Sequence, residues 1–192
     1  MAQQGVHRIA PEEFTTERLT LEPLRPAHAE EMAAVLSDPA LHAFIGGAPD
    51  DPAALRARYA RMLAGAPDPA VSWCNWVVRV RADGRAAGTV QATVTPGGGP
   101  GELTAEVAWV VGTAWQGRGI ASEAARALVA WLFGHPAVAS VVAYVHPDHA
   151  ASAAVARAAG LAATAERRDG ESHLAPRAPG LNPDVRTPGA GT

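Results

Sequence analysis

Lysine is absent: all 16 basic residues are arginine. A P-loop, which needs a lysine on the phosphates, is thereby excluded, and arginine is the one fixed cation left to hold an anionic ligand. The single cysteine, Cys74, excludes a disulfide framework and a cysteine-rich zinc site. No apolar run approaches the ~20 residues that cross a bilayer. No charged segment followed by an apolar one opens the chain, so no signal peptide is expected. Charge of one sign is scarce too. The net charge is −3, with 19 acidic residues against 16 basic, which gives no basic footprint for a nucleic acid. Aromatics make up 5% and alanine 44 of the 192 residues, so the few larger apolar side chains must carry the packing of one domain. These exclusions lead to a soluble, cytoplasmic protein with neither nucleic-acid nor membrane partners.

What is present reads as a single unit over residues 16–175. Met1 to Thr15 show no sustained period and read as a flexible arm. Pro176 to Thr192, with four prolines and three glycines, read as a disordered tail. Between them, alternation predicts a short strand over Arg18 to Glu22. Helical spacing of Ala29, Met32, Ala33 and Leu36 predicts a helix from Pro26, stopped by Asp38-Pro39. A second helix follows Asp51-Pro52, with Leu55, Tyr59, Met62 and Leu63 on one side. Trp73 to Val80, Gly88 to Thr95 and Leu103 to Val111 read as strands joined by short turns, hence an antiparallel meander. A helix over Ser122 to Phe133, a buried-type strand over Ser140 to Val145 and a helix from Pro147 to Ala159 follow. Short strands around Ala163 and Glu171 to Leu174 flank the turn Asp169-Gly170. The fold class is α+β (mixed α/β).

Chemistry concentrates where one strand ends and a helix begins, at Gly112-Thr113-Ala114-Trp115-Gln116-Gly117-Arg118-Gly119-Ile120-Ala121-Ser122. A helix N-terminus offers unpaired N–H groups and about half a positive charge, and glycines let those amides approach a phosphate. No third glycine follows Gly119 at the spacing of a dinucleotide fingerprint. Gln116-Gly117-Arg118-Gly119-Ile120-Ala121 resembles the Q/R-x-x-G-x-G/A signature of the GNAT superfamily of acyl-CoA N-acyltransferases. Thr16 to Leu21, Ala105 to Trp109 and His146 to Ser152, ending at Ala159-Gly160-Leu161, resemble further segments of its RimJ/RimL-type branch, in the same order. Two positions depart from that branch: His149 stands where an asparagine is usual, and Ala156 where a tyrosine acid is usual.

The resemblance implies a central, mostly antiparallel sheet with helices on both faces. Its strands Leu103–Val111 and Ser140–Val145 form a splayed parallel pair that holds acyl-CoA. It implies acetyl-CoA as co-substrate, with pantetheine along Trp109, Val110 and Val111. Pyrophosphate falls on Gln116, Gly117, Arg118, Gly119, Ile120, Ala121 and Ser122, and His149 lies beside the cofactor. Glu106 interrupts an apolar strand and is the candidate general base, with a strand glutamate paired to an arginine as the plain alternative. Ser152 is the candidate hydrogen-bond donor to the thiolate. Trp73 and Trp76, three apart on a strand, point to opposite faces, so one is expected at the acceptor pocket and the other in the core. His7, His28, His42, His135 and His173 lack metal-ligand spacing, and no metal is expected. The reading is an acetyl-CoA-dependent N-acetyltransferase in which a primary amine attacks the thioester directly. The alternatives are a longer-chain or protein N-terminal acyltransferase, or a non-catalytic acyl-CoA-binding sensor. The acceptor is a small-molecule amine or a protein N-terminus, and the protein is a monomer or homodimer.

Overall fold

The computed structural model describes residues 8–176. Eight strands and five α-helices follow one another as β1 (Phe14–Thr15), β2 (Leu19–Pro23), α1 (Ala29–Val35), α2 (Pro39–Ile45), α3 (Pro52–Leu63), β3 (Ser72–Val80), β4 (Ala86–Pro96), β5 (Leu103–Val111), α4 (Ile120–Phe133), β6 (Val138–Val145), α5 (Ala150–Ala158), β7 (Leu161–Arg168) and β8 (Glu171–Pro176). They build one sheet in the order β1-β2-β3-β4-β5-β6-β8-β7. Every neighbouring pair is antiparallel except β5–β6. The α4 crossover makes that pair parallel, because a tight turn cannot return a strand in the same direction. The mixed α+β architecture matches the fold class expected from the sequence. No helix among the described residues is long and apolar enough to cross a membrane.

Alternation on the strands divides the core into two layers. Cys74, Trp76 and Val78 of β3 face α4 together with Leu19, Leu21, Val90 and Val94, while Val77 faces α1 and α3 with Leu24, Met32, Leu55 and Tyr59. On α4, Ile120, Ala124, Ala125, Leu128, Val129 and Leu132 recur at helical spacing and are buried. The alanines on that face let the helix axis lie close to the sheet. Cys74 is wholly buried, its thiol donates to the Ile9 carbonyl at 3.3 Å, and burial pushes its pKa up to about 12, so it is inert at neutral pH.

Three sequence expectations change. Asp38-Pro39 does not only stop a helix; it starts one. The Asp38 carboxylate caps α2 by accepting from Ala40 N, and Pro39 occupies the first turn, where its missing N–H costs nothing. Part of the expected arm is packed: Ile9 joins the core, Trp76 Nε1 donates to the Glu12 carbonyl at 2.8 Å, and Phe14 stacks on Trp131 at 5.7 Å. The C-terminal strands are longer than expected and Pro176 belongs to β8, opposite Leu161. The rest of the expected tail lies outside the described residues.

The feature that positions the site is the parallel pair. β5 and β6 are in register only from Leu103↔Val138 to Glu106↔Val142. Beyond that point the two strands no longer pair, so the edge of β5 from Val107 to Val111 has no β6 neighbour, while Ala143 to Val145 pair with β8 on the far edge of β6. The two strands open like a V toward the loop that starts α4.

Candidate active site

Three elements meet at the mouth of the V. Behind it lies the loop after β5. Gln116 Nε2 donates to the Val111 carbonyl at 3.1 Å and closes the loop back onto the strand. Gly117 and Gly119 take φ of +73° and +75°, a region open to glycine, and Gly119 is the N-cap of α4 with no side chain over the first-turn amides. Those amides face outward with the helix dipole behind them, a fit for pyrophosphate. Ile120 is buried, so only its main chain is available to a ligand, whereas Ala121 and Ser122 are half-buried. The Arg118 guanidinium lies 5.2 Å over the Trp115 ring, and Trp115 is buried beneath the loop.

A brace supports this loop from the far side, and sequence reading missed it. Glu123, in the first turn of α4, accepts from Thr16 Oγ1 at 2.5 Å, from Arg18 N at 3.0 Å and from Arg18 Nε at 2.6 Å. Arg18 Nη1 also donates to the Arg118 carbonyl at 3.0 Å. Burial alone would raise the Glu123 carboxyl, but the hydrogen bonds from Thr16 and Arg18 outweigh it and hold its pKa below the usual value. Thr16 and Arg18 thereby tie the β1–β2 turn to the glycine loop and the first turn of α4.

On the other side of the V stands α5. Trp109 Nε1 donates to Ser152 Oγ at 3.1 Å and bridges the gap between β5 and α5. With one lone pair so engaged, the Ser152 hydroxyl keeps its own proton to give. His149 is the N-cap of α5, and its Nδ1 accepts from Ser152 N at 3.3 Å. A neutral ring accepting there carries its proton on Nε2. Burial, followed by the neighbouring His146, lowers the His149 pKa and favours that neutral form. Phe44 of α2 lies against the ring, 4.1 Å between centroids. Ala156 is fully buried and offers no proton donor.

In front of the V, a cavity of about 420 Å³ runs between the sheet and α1–α3. Glu106, Trp109, Val110, His149 and Ser152 all border it, so the structure brings these sequence-selected residues together. Glu106 is not held by burial. Its side chain is 39% exposed and paired with Arg168, whose Nη1 and Nη2 donate to Oε2 and Oε1 at 2.9 and 2.7 Å. The Arg168 guanidinium in turn lies 3.6 Å over the Tyr144 ring. The plain alternative for Glu106, a strand glutamate paired with an arginine, thus describes its contacts in this state.

The two tryptophans of β3 are placed differently from each other. Trp76 borders the cavity, but its indole is wholly buried against Phe14 and Trp131 on the α4 side. Trp73, on the opposite face, is 40% exposed and does not border the cavity. The polar wall comes instead from Asn75 of β3 and from Thr89 and Gln91 of β4. Their signal was present: Asn75 interrupts an apolar strand, and Thr89, Gln91 and Thr93 alternate with Val90, Ala92 and Val94. Among the described residues no group of three His, Cys, Asp or Glu side chains is placed to hold a metal ion.

The comparisons agree with this geometry. An acetyltransferase from Agrobacterium tumefaciens str. C58 is 29% identical, with 85% of this chain and 93% of that chain covered and a TM-score of 0.62. AAC(6')-Ib, solved with paromomycin and acetyl-CoA, is 19% identical, with 83% and 93% covered and a TM-score of 0.67. RimL, a ribosomal L7/L12 alpha-N-protein acetyltransferase solved with coenzyme A, is 17% identical, with 85% and 97% covered and a TM-score of 0.67. No curated protein matches the sequence. The family model described as acetyltransferase (GNAT) domain matches residues 18–162, most of the chain, and the protein therefore belongs to the GNAT acetyltransferase family.

Proposed function

We propose that the protein is an acetyl-CoA-dependent N-acetyltransferase that transfers the acetyl group to a primary amine by direct attack on the thioester. The observation that carries this reading is the V between β5 and β6, which opens onto the uncapped N-terminus of α4 at one end and onto the Glu106 cavity at the other. Structures similar in fold hold CoA or acetyl-CoA. The first-turn amides of α4 and Arg118 take the pyrophosphate, and the free edge of β5 at Trp109 to Val111 takes the pantetheine. Donors along that edge polarise the thioester carbonyl. Glu106 accepts the proton of the attacking ammonium, directly or through water, once Arg168 yields it. The new C–N bond forms as the C–S bond breaks. The Ser152 hydroxyl and the His149 Nε2–H donate hydrogen bonds to the leaving thiolate, in place of the tyrosine that Ala156 replaces. A cytoplasmic location and no metal requirement belong to the same proposal.

Calorimetry with CoA and thiol release from acetyl-CoA test it together. Gly119→Asp puts a side chain and a like charge at the α4 N-terminus, and it should weaken CoA at least about a hundredfold, the scale of a charge-assisted site lost. Unchanged affinity in a folded Gly119→Asp protein would move the cofactor elsewhere. A second reading, an acyl-CoA-binding sensor, draws on the Glu106–Arg168 pair and on Ala156. CoA binding with no thiol release from any amine would favour it.

A further inference from the structure

A second cavity, of about 560 Å³, lies under α5 and takes no part in the proposed chemistry. Its volume falls within the ~300–1,000 Å³ that holds small molecules. Directly opposed residues of paired strands share a face, so Val145 of β6 and Ser172 of β8 point to the same side of the sheet. Val145, Leu161 and Leu174 are buried and form an apolar floor. That floor crosses β6, β8 and β7, two strand spacings or ~10 Å. The opposite wall is α5, whose Ala153 and Arg157, four apart and so on one face of the helix, both border the cavity. The one-carbon side chain of Ala153 leaves the space open.

The polar groups around this floor favour one sign of charge. Arg157, in the last turn of α5, has no carboxylate partner among the described residues. Arg167 of β7 stands directly opposite Ser172, hence on the same face, and has none either. No aspartate or glutamate borders the cavity among the described residues. The Ser172 hydroxyl is half-buried and makes no hydrogen bond among them. A cation would meet two guanidiniums here. A polyol would find only Ser172 and His146 for its hydroxyls, and a free phosphate would leave the apolar floor uncovered. An anion with an apolar body satisfies both parts, because the arginine fork matches the two oxygens of a carboxylate.

The second cavity and the candidate active site share a wall. Val145 and His146 border both. α5 also faces both, with His149 and Ser152 toward the V and Ala153 and Arg157 toward the second cavity. A ligand that contacts one position of α5 better than another shifts the helix toward that position.

We propose that the second cavity is an effector site for a small carboxylate with an apolar body, and that its occupancy changes CoA affinity through α5 and His146. The carboxylate sits on Arg157 and Ser172, and the tail lies on Val145, Leu161 and Leu174. The binding half is independent of the acetyltransferase reading, and the coupling half rests on it.

Octanoate is the probe, with octan-1-ol and octylamine as controls. Each is titrated into the purified full chain by calorimetry and by amide chemical shifts, with and without saturating CoA. Octanoate should bind once per chain and at least about tenfold more tightly than either control, the worth of a charge-assisted pair. The largest shifts should fall on α5, Leu161 to Ala163 and Ser172 to Leu174. Arg157→Gln should weaken octanoate about tenfold and leave CoA affinity within about twofold in its absence. Ala153→Leu, a good helix former that fills the space, should abolish octanoate binding. Saturating octanoate should change the Kd for CoA at least about threefold, and CoA should change the Kd for octanoate by the same factor. No octanoate binding, preference for either control, outright displacement by CoA, or undiminished affinity in both variants would overturn the site. Octanoate bound at the site with the Kd for CoA unmoved would overturn the coupling. Failure of CoA to bind at all would overturn the acetyltransferase reading and the coupling with it, while the octanoate titrations would still decide the site.

Discussion

The most exposed question at the scale of single residues is the pair Glu106–Arg168. Both carboxylate oxygens face the guanidinium, which is also stacked on Tyr144, so the arginine is fixed by two contacts and not by one. An exposed ion pair of this kind adds little to stability, ~0–1 kcal/mol. Its consequence is chemical: in the proposed mechanism, where Glu106 is the base, an amine must compete with Arg168 for it. Glu106→Gln should lower kcat by ~10²–10⁴ while CoA affinity stays within twofold, because the residue lies on the acceptor side of the V. Arg168→Ala should act differently, raising the rate at subsaturating acceptor and changing its pH profile. Steady-state kinetics of both variants against pH check this. A Glu106→Gln enzyme with undiminished turnover would pass the base to water or to His149. Little of this was legible in the sequence. Glu106 stood out as an acid in an apolar strand, but Arg168 is 62 positions away, and only the β6-β8-β7 edge brings it there.

At the scale of elements, the contact to test is the brace between the β1–β2 turn and the start of α4. Thr16 and Arg18 neutralise Glu123, a carboxylate in the very turn where the proposed pyrophosphate binds. Without Arg18 that charge would repel the ligand, and the loop would lose its tie through the Arg118 carbonyl. Arg18→Ala is expected to raise KM for acetyl-CoA about tenfold, equivalent to ~1.4 kcal/mol, with kcat nearly unchanged. Parallel calorimetry with CoA gives the same quantity directly, and an unaltered Kd would reduce the brace to a fold contact. The elements themselves were largely legible. β5 is found from Leu103 to Val111 as its pattern predicted, and the helix expected over Ser122 to Phe133 lies within α4. What failed did so for physical reasons. Asp38-Pro39 is as good a helix start as a helix stop, and the choice depends on Thr113, whose hydroxyl donates to Asp38 Oδ2 at 2.6 Å from another part of the chain. β7 reads Leu161-Ala162-Ala163-Thr164-Ala165-Glu166-Arg167-Arg168, which has no alternation to detect, because most of it faces solvent and its place is set by backbone pairing to β8. The period of β3 put Trp73 and Trp76 on opposite faces, but which face meets the cavity is decided by α1 and α3.

For the whole molecule, the histidines and carboxylates whose pKa the fold shifts are all lowered. His28 is buried under α1, and its pKa is lowered first by burial and then by the Arg25 charge, against an opposing pull from Glu22. Arg79 Nη1 donates to Glu31 Oε2 at 3.0 Å, and Ala86 N donates to Oε1 at 2.7 Å. These contacts outweigh the effect of burial and lower the Glu31 pKa. Glu123 is lowered by its brace in the same manner. A depressed pKa means that the unfolded chain binds the proton more tightly than the native one, so protonation favours unfolding. For His28 the stability is present above the ordinary imidazole range and is lost as the pH falls below it. For Glu31 and Glu123 the loss comes lower, through the carboxylate range. The melting temperature is therefore expected to be highest at pH 7 and above, and to fall in two stages between pH 7 and 4. About 1 kcal/mol corresponds to ~2–4 °C in a domain of this size. His28→Asn, which keeps an acceptor for the Arg25 N–H that His28 Nδ1 now takes at 3.1 Å, should flatten the first stage and leave the second. Glu123→Gln should blunt the second and leave the first. Thermal melts of the three proteins in buffers matched for ionic strength read both stages. A wild-type melting temperature that held constant or rose on acidification would show that the buried network around His28 admits a proton without cost, and that its lowered pKa is not a property of the folded chain.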